Sequence, residues 1–114
     1  MRSPRPPVGP LADSPSERAI LARVRQLLLD IGCQVYSLSQ TRRSHVSAGL
    51  PDMYALHARL GGFWIEGKRP GGKQSPAQVA FQHACAAAGV DYLCGGMPEV
   101  LDYLERRGLI ERSP

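Results

Sequence analysis

Long apolar runs are missing from this chain. None approaches the roughly 20 consecutive residues that a membrane-spanning helix needs. Cysteine is scarce: Cys33, Cys85 and Cys94 stand far apart, in apolar contexts, with no Cys-x-x-Cys pair. That spacing argues against a zinc site and against a disulfide framework. It assigns the three thiols to the core as small hydrophobes in a reduced setting. No secretory signal is legible either, because Arg2 and Arg5 are followed by no apolar stretch. The expected location is the cytoplasm, with no membrane partner. Lysine is nearly absent too. Lys68 and Lys73 are the lysines, and the other basic side chains are arginines. Arginine suits bidentate phosphate contacts. A formal charge of +4 and a pI near 9.3 therefore admit a polyanionic partner without requiring one.

The 114 residues set the expectation of one folded unit. Residues 1–13 carry Pro4, Pro6, Pro7 and Pro10 together with Arg2 and Arg5 and read as a flexible arm. Residues 14–110 read as the domain, and 111–114 as a tail. Ser14-Pro15-Ser16-Glu17 has the form of a helix start: serine cap, proline at the first position, and an acid able to complete a capping box. Ile20, Leu21, Val24, Leu27, Leu28 and Ile31 follow at helical spacing, up to Gly32. Glu17 points with Leu21, Val24 and Leu28. It is placed either to cap the helix or to deliver an acid inward. Arg18, Arg23 and Arg25 fall on the outer face.

Gln34 to Ser39 alternates as a first strand. A polar loop then carries Arg42, Arg43 and His45, which could grip a phosphate or simply be solvated. Pro51 to Ala58 reads as a second strand, with Asp52, Tyr54 and Leu56 on one face. Arg59 to Gly62 reads as the turn and Phe63 to Lys68 as the third strand. Beyond a glycine-rich loop, Ser75-Pro76-Ala77-Gln78 repeats the helix-start pattern, and that helix ends at Gly89. Val90 to Cys94 makes a fourth strand, expected parallel to the third. Pro98 opens a last helix that ends at Gly108. The class is α/β: helix, three strands, helix, strand, helix.

The chemistry concentrates between Gly49 and Gln78. Strand alternation puts Glu66 and Lys68 on one face. The hairpin brings Asp52 beside Glu66. Two adjacent carboxylates repel unless a cation lies between them. Hard oxygen ligands suit magnesium or manganese. Such an ion activates a bound water and polarises a phosphoryl group. Lys68 is placed to hold the water and offset developing charge. Gln78 either orients that water or caps its helix. A solvated cross-strand salt-bridge cluster would use the same residue types.

Gly49-Leu50-Pro51-Asp52, Trp64-Ile65-Glu66-Gly67-Lys68, the Gly-Gly-Lys loop and Ser75-Pro76-Ala77-Gln78 together resemble the VRR-Nuc (virus-type replication-repair nuclease) domain of the PD-(D/E)xK nuclease superfamily. The resemblance spans roughly residues 14–99. It implies a restriction-endonuclease-like αβββαβ core, a mixed sheet flanked by helices, here with an extra C-terminal helix. It implies magnesium- or manganese-dependent DNA cleavage, with Asp52, Glu66, Lys68 and Gln78 catalytic. The implied metal ligands are Glu17, Asp52, Glu66 and the main-chain carbonyl of Gly67. Arg42, Arg43, His45, Arg69 and Lys73 are the candidate DNA contacts. Small stand-alone members, often from phages, resemble Holliday-junction resolvases. That implies a homodimer acting on branched DNA in a bacterial or phage-infected cell. Gly67 departs from the pattern, which has an apolar residue there, and glycine loosens a strand. It leaves open a non-catalytic DNA-junction clamp on the same fold, or a plain interaction domain.

Overall fold

The computed structural model describes residues 16–38 and 48–111. Helix α1 spans Glu17–Asp30, with Ile20, Val24 and Leu28 buried along one stripe. Its N-cap is Ser16, whose side chain accepts from the Ala19 N–H at 3.0 Å. The cap therefore lies two residues later than the sequence pattern suggests, and Glu17 becomes the first helical residue. The box position passes to Ala19, which has no side chain to reciprocate. Ser14 and Pro15 lie outside the described residues.

Four strands follow: β1 Gln34–Ser37, β2 Met53–His57, β3 Gly61–Gly67 and β4 Asp91–Gly95. Helix α2 (Pro76–Ala88) links β3 to β4, and α3 (Met97–Arg106) closes the order. The sheet order is β1-β2-β3-β4, with β3 and β4 parallel and the other pairs antiparallel. This is the expected αβββαβ core with a mixed sheet and an added C-terminal helix. Among the described residues, no helix is long and apolar enough to cross a membrane.

Several boundaries differ from the sequence expectation. β1 stops at Ser37, although the Leu38 N–H still bonds to the Asp52 carbonyl at 2.8 Å. The hairpin pairs His57 with Gly61, so Gly61 and Gly62 belong to β3 and not to the turn. Leu60 inside that turn is buried, because a short loop folds it back onto the core. α3 begins at Met97, one residue before Pro98, and Gly96 is its N-cap.

One sheet face packs against α1 and α3. Phe63, Ile65, Leu28, Val24, Val100 and Leu104 are fully buried between them. Phe63 and Tyr103 bring their rings to 5.1 Å. The opposite face carries Tyr54, Trp64 and Tyr92. α2 covers it through Phe81, which meets Trp64 edge-on at 5.2 Å and lies 6.1 Å from Tyr92. At the far end of the sheet, Tyr103 and Arg107 both donate to Asp91 Oδ2. That pair ties α3 to the start of β4. Cys33 and Cys85 are buried, Cys94 is half-buried, and all three are free thiols.

Candidate active site

Asp52 stands one residue before β2, but its backbone continues the ladder: its N–H bonds to the Ile65 carbonyl at 3.1 Å. That register puts its side chain beside the end of β3. Asp52 Oδ2 accepts from the Gly67 N–H at 2.8 Å, which fixes the carboxylate against the neighbouring strand. Gly49, three residues earlier, has α2 pressed against it. A Cβ there would lie 2.3 Å from the Ala77 carbonyl oxygen, so glycine lets the first turn of α2 sit beside the Asp52 segment.

Glu66 is the one buried charged side chain among the described residues, 3% exposed. Its Oε2 receives the Gln78 amide at 2.7 Å and has Lys68 Nζ at 3.7 Å. Its Oε1 is buried with no hydrogen-bond partner. Burial first, then the Asp52 charge, push the Glu66 carboxyl up to about 7. Glu17 raises it further and Lys68 opposes the rise.

Gln78 performs two tasks at once. Its Oε1 accepts from the Ser75 N–H at 2.8 Å while the Ser75 hydroxyl accepts from the Gln78 N–H at 3.1 Å. This is the complete capping box. Its Nε2 is the donor to Glu66. The capping use is present at one end of the amide, and the other end holds Glu66.

The structure brings Asp52, Glu66, Gly67, Lys68 and Gln78 together. Glu17 is exposed at the start of α1. It is near enough for its charge to act on Glu66. Yet among the described residues no three His, Cys, Asp or Glu side chains form a ready metal cluster. The donor chemistry still fits a hard cation. A buried oxygen lacks a partner, two carboxylates adjoin, and magnesium-type ions complete their shell with water and phosphate oxygens. Arg69 is half-buried and Lys73 is exposed, both on the loop after β3. Arg42, Arg43 and His45 lie outside the described residues.

The reason for Gly67 was not legible in the sequence. A Cβ there would stand 2.8 Å from the Leu21 side chain of α1. Leu21 therefore occupies the volume that an apolar side chain would need. Glycine here permits close helix–strand packing, and the strand is held by the bond to Asp52. Arg23 is exposed, as expected for the outer face of α1, and it also lines a cleft with Lys68. Cys94 pairs with Glu66 in the parallel register, so it faces the site. Burial and the Glu66 charge both push its thiol up. Counting alternation through the fourth strand would have found it.

Two acids and a lysine thus stand together at the end of two paired strands, backed by a helix start, on an α/β sheet. Comparison with protein-family models and with curated proteins gives no match. A solved structure described as "VRR_NUC domain" superposes with a TM-score of 0.63, covering 79% of this chain and 94% of that one. At 22% identity the likeness is one of fold: the chain has the mixed-sheet α/β, restriction-endonuclease-like fold of that VRR_NUC domain.

Proposed function

We propose that the protein is a magnesium- or manganese-dependent DNA endonuclease, selective for branched or Holliday-junction-like DNA. The observation that carries the reading is Glu66: a buried carboxylate beside Asp52, one oxygen held by Gln78 and Lys68, the other without a partner. Asp52, Glu66 and the Gly67 carbonyl would hold the divalent ion. When bound, that ion lowers the pKa of a water and polarises the scissile phosphate. Gln78 keeps Glu66 in place. Lys68 supplies a cation to the attacking water and to the charge that develops on the phosphoryl oxygens.

Gly67 has a packing role against Leu21, so it carries no case for a non-catalytic clamp. Arg42, Arg43, His45, Arg69 and Lys73 are the proposed DNA contacts. Two copies related by a two-fold axis would present two sites to opposed strands of a symmetric junction. The test is a panel of labelled duplex, flap, single-stranded and four-way DNA with magnesium, manganese or chelator. Metal-dependent cutting, fastest on branched DNA, is expected. Equal binding in metal and chelator with no cutting would reject the reading in favour of a clamp. Sedimentation of the protein alone and on a four-way junction tests the dimer.

A further inference from the structure

β3 and β4 run parallel, and the chain leaves their ends toward opposite faces of the sheet. After β3 it passes to α2, whose Phe81 packs on Trp64 and Tyr92. After β4 it passes to α3, whose Tyr103 packs on Phe63. The diverging connections open a crevice at the strand ends, and open α/β sheets hold their ligands at such a crevice. A cleft of about 490 Å³ occupies it, within the roughly 300–1,000 Å³ of small-ligand sites.

The lining combines Ile20, Met97 and Pro98 with three cations, Arg23, Lys68 and Arg69. Glu99 also lines it, but its Oε1 accepts from the Gly96 N–H at 2.8 Å, which engages that carboxylate within α3's own first turn. The cleft is thus apolar with a cationic rim. Neither Asp52 nor Glu66 lines it. Lys68 joins the two, since it lines the cleft and stands 3.7 Å from Glu66.

We propose that this cleft seats one unstacked nucleotide of the substrate strand, next to the phosphate at Lys68. The base lies against Ile20, Met97 and Pro98, and its phosphate is held by Arg23 and Arg69. The proposal rests on the nuclease reading, which makes the strand at Lys68 the substrate. A flat, weakly polar base suits the apolar walls, and its phosphate suits the arginines. Extracting a base from a continuous duplex costs its stacking and pairing, and costs least where it is already unpaired. Selection of branch points would then originate in this cleft.

The test uses the full chain in chelator, so no cutting occurs, with short single strands in which each position in turn is abasic. Binding is read by anisotropy, and its location by amide chemical shifts. One abasic position is expected to weaken binding roughly ten-fold, with shifts at Gly95 and Gly96. Met97→Trp, which fills the cleft, is expected to abolish that penalty, and Arg23→Ala to weaken every strand alike. Equal binding of intact and abasic strands, or a penalty that survives in folded Met97→Trp, overturns the proposal. Should Met97→Trp not fold, the shifts decide, and shifts confined to other residues overturn it. A chain that cuts DNA in magnesium but shows no base dependence keeps the nuclease reading and loses the cleft. Base-dependent binding without any cutting does the reverse.

Discussion

Glu66 concentrates the conflict that a metal would resolve. Its carboxyl is raised from 4.5 to about 7, chiefly by burial, so the metal-free fold favours the protonated form. The contribution of Glu66 to stability is therefore intact below pH 4.5 and is lost as pH rises toward about 7. The loss is on the order of 3 kcal/mol. Denaturant titrations across that window are expected to show the decline in metal-free protein. Glu66→Gln should flatten it and be the more stable form above pH 7. A divalent ion should raise the melting temperature more above pH 7 than below it, because the proton competes for the same oxygens. Gly67 gives a second expectation. Gly67→Ala forces a Cβ onto Leu21, which should cost about 1–3 kcal/mol. Adding Leu21→Ala should recover part of that loss relative to Leu21→Ala alone, which a double-mutant cycle measures.

The decisive element is the first turn of α2. Ser75→Ala should cost about 1 kcal/mol of stability through the lost cap. Gln78→Glu preserves an acceptor for the Ser75 N–H but replaces the donor to Glu66 with a second carboxylate. It should destabilise the metal-free protein more above pH 7 than below, measured by thermal melts at both. A pH-independent effect would mean that the amide serves the cap alone. Most elements were legible, because α1 has a strict apolar stripe and α2 a serine-proline start with Gly89 as its stop. The ends were not. Strand ends depend on pairing across the sheet, as at Gly61 and Ser37, which no local pattern records. The α1 cap shifted because Ser14 and Ser16 are both competent cap residues, and local chemistry does not choose between them.

At the scale of the molecule, strand parity alone brought Asp52, Glu66 and Lys68 together. Packing between layers was beyond it: Leu21 on Gly67, the Glu66 oxygen without a partner, and the cleft between the β3 and β4 exits all depend on how α1, α2 and α3 lie on the sheet. Those contacts join residues far apart in the chain. DNA affinity is expected to fall steeply with salt, as arginine–phosphate contacts release counterions. Arg69→Ala should lower the slope of that dependence, measured by anisotropy across a salt series. An unchanged slope would remove Arg69 from the interface.

The central claim is that Lys68, beside Glu66, serves phosphodiester hydrolysis. Single-turnover cleavage of labelled branched DNA in magnesium, wild type against Lys68→Ala, tests it most directly. The variant is expected to cut roughly 10²–10⁴-fold more slowly while binding the same DNA with little loss, and chelator should stop the wild type. Cutting by Lys68→Ala at the wild-type rate, or undiminished cutting by the wild type in chelator, would contradict it.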